Sequence, residues 1–268
     1  TIQEWDDDPL NWEAHFRQSR FVELRSAHAI QTSTPRLAEY LRQYNPEVRV
    51  FPNCIAELPP RPDPDRRGAA AVTLFFGAIN REKDWQPIMP VLNDILQTAD
   101  QKIRCIVVHD QQFFAALRTE HKQFIPFCAF AEYRRLLQQS DIALLPLLPS
   151  RFNQMKSDLK FLECAAYGAA VIASPTVYAD SVIDGETGLL YETEREFAAG
   201  LNRLLKDAAL RQKIRSQAWI WVGQNRLLGN HYRERLAWYQ SLRERYTELT
   251  AAIGERVPEL RQAEGFRD

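Results

Sequence analysis

Between residues 141 and 174 the chain runs DIALLPLLPSRFNQMKSDLKFLECAAYGAAVIAS: an apolar run, a proline-punctuated turn, an amphipathic stretch and a second apolar run. DIALLPL and AVIASP are short, continuous and bounded by turn residues, which predicts strands buried on both faces. Between them Ser157 suits a helix N-cap and Gly168 the position just past a helix end, bracketing a helix of about ten residues. Strand, helix, strand in this order is the unit of a parallel sheet.

The pattern extends both ways. Upstream, AVTLFFG (71–77) is a buried-strand run stopping at Gly77, WQPIMPVLNDILQTA (85–99) reads as a helix, KIRCIVVHD (102–110) as a strand and AEYRRLLQQS (131–140) as an amphipathic helix. Downstream, SVIDGETGLLYE (181–192) has turn signals at Asp184-Gly185 and Gly188 and then a short strand. The expectation is an α/β fold: a Rossmann-like parallel sheet with helices on both faces, plus a C-terminal helical segment. Strands are expected near Val72–Phe76, Ile103–Val108, Ile142–Leu145, Val171–Ala173 and Leu189–Tyr191. In such sheets ligands bind at the strands' C-terminal ends.

Composition narrows the function classes. The 268 residues carry 34 Lys and Arg against 35 Asp and Glu, a net charge of −1, without the basic excess that bulk nucleic-acid binding needs. No apolar run approaches a membrane span, and the acidic opening TIQEWDDDPLNW does not read as a signal peptide. The expected location is cytoplasmic, with peripheral contact at the inner face of the membrane as a sharper alternative. That alternative rests on the tail from Lys206 to Asp268, where 12 Lys and Arg face 8 Asp and Glu. A solvated helical face is the plainer reading. Cys54, Cys105, Cys128 and Cys164 form no C-x-x-C pair, so buried thiols in a reducing compartment are expected. There is no G-x-G-x-x-G after the first sheet strand and no G-K-[ST], so neither a dinucleotide fingerprint nor a P-loop is present. Asp6, Asp7 and Asp8 read as a capping or loop cluster, and no metal site is expected.

Prolines at 59, 60, 62 and 64 in PPRPDPDRRG (59–68) forbid regular structure and mark a connector. The expected division is residues 1–58 as a partial first domain, 59–68 as linker, 69–225 as the Rossmann-like domain and 226–268 as a helical tail containing Trp238.

The chemistry concentrates at two strand ends. At the start of the 157–168 helix a capping box calls for Glu or Gln where Lys160 stands, and Lys156 lies just before the cap. Cations at the positive end of a helix each cost about 0.3–1 kcal/mol unless an anion sits there, so the pair predicts a pyrophosphate site. Lys160 and Glu163 share a helix face; the first can address phosphate and the second accept from a ribose hydroxyl. In GAINREKD (77–84), Gly77 ends a strand where the backbone approaches something closely, and Arg81 and Lys83 follow near a helix start.

These residues resemble the nucleotide-sugar-binding C-terminal half of retaining glycosyltransferases with the GT-B fold. Gly77 and Lys83 match the spacing of that family's G-R-x-x-x-x-K-G, LECAAYGAAVIAS its E-A-x-A-x-G-x-P-V-[IV]-A-[ST] with Glu163 at the Glu, and VIDGETGLL its V-x-D-G-x-T-G-x-L. Residues 27–55 look like the segment joining the family's two halves. The sequence departs at Ala78, where the family has Arg, at Met155, where it has a first Glu, and at Cys54, where it has Gly after Pro-Asn. The run N-x-x-K-S-D-L-K-F-L-E resembles a subgroup of surface-polysaccharide and O-antigen synthesis.

What the resemblance implies is a hexosyltransferase-like enzyme moving a sugar from a nucleotide-sugar to a glycan or lipid-linked acceptor without metal or other cofactor. Lys83 and Lys160 would offset charge on the leaving diphosphate, and Gly77, Arg81, Asn153, Lys156, Ser157 and Glu163 would contact the donor. All are expected to converge on one cleft. Residues 1–58 are too few for the family's N-terminal half, so a fragment inactive by itself, its missing half a partner, is expected. Two other readings stay open: a non-catalytic nucleotide-binding or interaction module, and a sugar-nucleotide epimerase of the same fold.

Overall fold

The computed structural model describes residues 1–9, 13–62 and 71–260. The chain divides into two compact units: Thr1–Asn53 with Gln154–Ser157 and Leu228–Asp268, and Cys54–Asn153 with Asp158–Leu227.

The first unit opens with β1 (Ile2–Trp5), α1 (Glu13–Gln18), α2 (Val22–Arg25), β2 (Ala29–Thr32), α3 (Pro35–Leu41) and β3 (Val48–Val50). Its three strands are parallel in the order β1-β2-β3. Helix α3 starts as its sequence dictates: the Thr34 side chain accepts from the Leu37 N–H, and Pro35, with no N–H to leave unmet, takes the first turn.

The larger unit holds β4 (Val72–Gly77), α4 (Glu82–Trp85), α5 (Met89–Thr98), β5 (Ile103–Val108), α6 (Gln111–Ala116), β6 (Lys122–Ile125), α7 (Phe130–Gln138), β7 (Ile142–Leu145), α8 (Arg151–Gln154), α9 (Leu159–Ala166), β8 (Ala170–Ala173), α10 (Pro175–Tyr178), β9 (Leu189–Leu190), α11 (Glu194–Lys206) and α12 (Ala208–Asn225). All six strands are parallel, in the order β6-β5-β4-β7-β8-β9. This is the Rossmann-like sheet with helices on both faces that the sequence predicts. All five expected strands are present; β6, polar and at the sheet's edge, is the sixth. The expected 85–99 helix is interrupted, because Pro87 and Pro90 each restart the backbone and leave α4, a 3₁₀ turn and α5 in succession.

Alternation along each strand builds two apolar layers. Leu74, Phe76, Cys105, Val107 and Leu144 pack with Leu92 of α5 and Phe197 and Leu201 of α11. Phe75, Ile106, Val108, Ala143 and Leu145 pack on the other face with Phe161 and Leu162 of α9 and Ala218 and Val222 of α12. Because both layers are dry, the strands carry almost no polar residues, which is why they read as unbroken apolar runs.

Two expectations about organisation are corrected. The division between units falls after Asn53, five residues before the expected one. Residues up to Pro62 belong to the larger unit, where the Trp219 indole N–H donates to the Pro59 carbonyl at 3.0 Å and Ile55 bridges to Leu227. Residues 63–68 of the proline-rich connector lie outside the described residues. The tail, too, is not one element. Helix α12, with Trp219 and Trp221, packs in the larger unit, whereas α13 (Leu228–Glu244) and α14 (Tyr246–Arg256) belong to the first. There Trp238 meets Phe51 edge-on at 5.3 Å, Arg245 pairs with Glu47 at 2.7 Å, and Arg256 donates to the Arg25 and Ala27 carbonyls. Residues 261–268 of the tail lie outside the described residues. Cys105 and Cys164 are buried thiols as expected, their pKa pushed up by burial to about 12, but Cys54 and Cys128 are half-exposed. Among the described residues no helix is long and apolar enough to cross a membrane.

Candidate functional site

The sheet order reverses direction between β4 and β7, so the connections leaving these two neighbouring strands run to opposite sides and open a crevice at their C-terminal ends. The candidate site residues that the sequence singled out in the larger unit lie on the segments that leave those strands.

Strand β4 ends at Gly77. A side chain there would stand 2.9 Å from the Phe75 ring and 3.3 Å from Tyr133, so the close approach expected of this glycine is to the aromatic layer beneath it. Asn80, three residues on, holds a left-handed backbone (φ 54°), and so does His109 (φ 71°) at the end of the neighbouring β5. Non-glycine residues in this region are uncommon and concentrate where a loop shape is enforced. Arg81 then caps α4, and Lys83 stands exposed within it.

The loops after β4 and β7 are tied together by a buried acid. Asp84 pairs with the Arg81 guanidinium at 3.2 Å and accepts from the Asn153 amide at 2.6 Å and from the Leu148 backbone N–H at 3.0 Å. Arg81 also donates to the Asn153 amide oxygen at 2.7 Å, and the Asn153 amide nitrogen donates to the Leu148 carbonyl at 3.0 Å. Arg81 and Asn153, both predicted to meet a ligand, are thus brought together, with Asp84 as their common partner. Sequence reasoning missed Asp84; its signal is the Arg81–Asp84 spacing of three on a helix that the aromatic Trp85 anchors.

Across the switch point, α9 carries Lys160 and Glu163. The Lys160 ammonium donates to the Tyr133 hydroxyl at 3.0 Å, lies 4.8 Å from that ring's centre and is 3.7 Å from the Glu163 carboxylate. Glu163 is only 8% exposed, and its Oε2 has no hydrogen-bond partner among the described residues. Burial pushes its carboxyl above the ordinary range, against the opposing pull of Lys160 and Tyr133. Tyr133, likewise pushed upward by burial, is the second residue the sequence did not flag; within an amphipathic helix it reads as core.

Ser157 is not the cap of this helix. Asp158 occupies the N-cap position without capping through its side chain; its carboxylate turns instead to Arg226, at 2.7 Å, and to the Ser181 hydroxyl. Lys156 and Ser157 lie in the first unit, where Lys156 pairs with Asp7 at 3.1 Å and the Ser157 hydroxyl accepts from the Asn53 amide at 2.8 Å. The sequence could not separate them from Lys160, because the change of unit falls inside a continuous run.

A model of the family described as glycosyl transferases group 1 matches residues 70–207. No curated protein matches the sequence. Among solved structures, the chain is similar to sucrose-phosphate synthase from Thermosynechococcus elongatus, at 19% identity and a TM-score of 0.63, covering 82% of this chain and 59% of that one. It is similar to HepE from Anabaena, solved in complex with UDP and glucose, at 17% identity and a TM-score of 0.65, covering 90% and 71% respectively. It is also similar to the pneumococcal O-GlcNAc transferase GtfA, solved with UDP and GlcNAc, at 14% identity and a TM-score of 0.62, covering 86% and 47%. At these identities the likeness is one of fold, that of GT-B glycosyltransferases. The chain spans less than two thirds of the sucrose-phosphate synthase and of the GtfA chain.

Proposed function

The chain belongs to the group 1 glycosyl transferases, and on that premise we propose that its larger unit binds the nucleoside diphosphate of a nucleotide-sugar at the β4/β7 switch point. The observation that carries this reading is Lys160 and Glu163 together on α9: an exposed-edge ammonium suited to a diphosphate, beside a buried carboxylate with an oxygen still to be met, suited to a ribose hydroxyl. Lys83 on α4 supplies a second cation at the neighbouring strand end. Arg81, Asp84 and Asn153 hold the two loops in register. The charge that develops on the leaving diphosphate is offset by the lysines through preorganised electrostatics, with no covalent intermediate on the protein and no metal.

The acceptor is a glycan or lipid-linked sugar of the cell surface, a reading supported by the resemblance of N-x-x-K-S-D-L-K-F-L-E to enzymes of that synthesis. The site of action is the cytoplasmic side of the membrane. Since the chain spans 59% of the sucrose-phosphate synthase it resembles, full transfer activity is proposed to need more than this chain, because proximity of donor and acceptor supplies several kcal/mol of the barrier reduction.

Thermal shift with UDP, GDP, dTDP and CMP and their sugars tests the reading. A ligand at a hundred times its Kd stabilises by about 2.7 kcal/mol. A rise with one nucleotide family identifies the base; no rise with any of them defeats the proposal and leaves the interaction module.

A further inference from the structure

On α9 the Lys160 ammonium and the Glu163 carboxylate share one face, yet they do not close into a pair. Lys160 Nζ lies 3.7 Å from Glu163 Oε2, beyond the roughly 2.7–2.9 Å of a charge-assisted hydrogen bond. Oε2 is buried, and it is the atom left without a hydrogen-bond partner among the described residues. A buried carboxylate oxygen draws any cation within reach, and the flexible four-carbon stem of a lysine can deliver one. A neighbour must therefore hold the ammonium off.

That neighbour is Tyr133 of α7. Its hydroxyl accepts from Lys160 at 3.0 Å, and the centre of its ring lies 4.8 Å from the same ammonium, so a hydrogen bond and a cation–π contact both compete with Oε2. Burial pushes the ionisation of the Tyr133 hydroxyl upward, so it stays neutral and keeps a lone pair for the ammonium. The ring itself has little freedom. It is 7% exposed, meets Phe75 edge-on at 5.6 Å and lies nearly parallel to the Phe130 ring at 6.4 Å. It fits beneath the end of β4 because residue 77 is glycine, where a Cβ would stand 3.3 Å from it. A hydroxyl on so confined a ring fixes where the ammonium rests, which the partly exposed lysine could not do by itself.

We propose that Tyr133 is a positioning residue of the β4/β7 site: it holds Lys160 off Glu163, so that the ammonium and the Glu163 oxygen stay open to a bound ligand instead of neutralising each other. That this ligand is a nucleotide rests on the reading above; the separation of the two charges does not.

Tyr133→Phe keeps the ring and its packing and removes only the hydroxyl, and Tm verifies that the variant is folded. Crystal structures of the wild type and the variant give the Lys160–Glu163 separation directly. The gap is expected in the wild type and is expected to close to about 2.8 Å in the variant. Calorimetric titration with UDP and GDP reads the consequence: the Kd of whichever binds is expected to rise about tenfold, the scale of one lost charge-assisted contact. In a Lys160→Ala background, Tyr133→Phe is expected to change Kd no further, because Tyr133 acts through Lys160; a merely structural role would add its loss in full. The proposal is overturned if the two groups are already joined in the wild type, if the variant keeps them apart, if its Kd is unchanged, or if the two losses add. If neither nucleotide binds the wild type, the nucleotide reading falls and the separation in the variant decides the role of Tyr133, so the two fail separately.

Discussion

Asp84 accepts from Arg81, Asn153 and Leu148, so deleting its carboxylate strands three donors at once. Asp84→Ala is expected to cost about 2–3 kcal/mol in denaturant titration, because donors left unmet in a buried site cost their full desolvation. A neutral result would mean that water replaces it. Lys160 carries the opposite expectation. Its ammonium is partly exposed, so Lys160→Ala should leave stability nearly unchanged while weakening nucleoside diphosphate binding by roughly 1.5–3 kcal/mol, the worth of a charge-assisted contact. Calorimetric titration with an unchanged Kd would show that the lysine is only solvated. At Glu163 the sign of the pH effect follows from burial. Its carboxyl ionises at higher pH folded than unfolded, so between the two values the folded state holds more protons and stability falls as pH rises. Glu163→Gln removes that slope. The variant is therefore expected to gain on the wild type as pH rises from the ordinary carboxylate range through the raised folded value, and parallel stability curves would contradict the upward shift.

At the scale of elements, α9 depends on how it ends. Gly168 follows its last turn at φ +85°, where its missing side chain leaves room for the Pro62 ring; a Cβ there would come within 2.7 Å of it. Gly168→Ala combines left-handed strain with that clash. It is expected to lower stability by about 1–3 kcal/mol, measured as a fall in Tm. The helix start was harder to read. Ser157 and Asp158 are both good caps by type, and only the packing of Arg226 and Ser181 against Asp158 reveals that its carboxylate is engaged sideways and not upon the helix. The prolines of 85–99 and the polar edge strand β6 show the same limit: an apolar period announces an element, while its breaks and its edge partners depend on neighbours the period does not encode.

For the whole molecule, the proposed diphosphate site makes a spatial claim that hydrogen exchange can check. With a saturating nucleoside diphosphate, added protection is expected over residues 77–84, 146–153 and 158–165, the parts of the larger unit that leave β4 and β7. Protection restricted to β1–β3 would place the nucleotide in the first unit instead. The division into units itself passes through the chain four times, at 53, 153, 157 and 227. No local composition marks the crossings at 153 and 157, which sit inside the very motif that carries the family resemblance.

The parallel sheet and the helices on both its faces were largely legible from the chain alone, while the strand order came from the structure. Strands buried on both faces must be continuous apolar runs, and the helices between them must cover those faces, so AVTLFFG, KIRCIVVHD, DIALLPL and AVIASP could hardly form anything else. Lys160 and Glu163 were legible as a pair for a similar reason, since three residues on a helix is a fixed distance in space. Distance across the fold is not encoded in that way. That Asp84 joins Arg81 to Asn153 over a separation of 72 residues, and that Lys156 turns to Asp7 while Lys160 turns to Tyr133, were decided by tertiary structure. Polar partners are selected by which loops the packed sheets bring together, and a hydroxyl or carboxylate looks the same in sequence whether or not a partner reaches it.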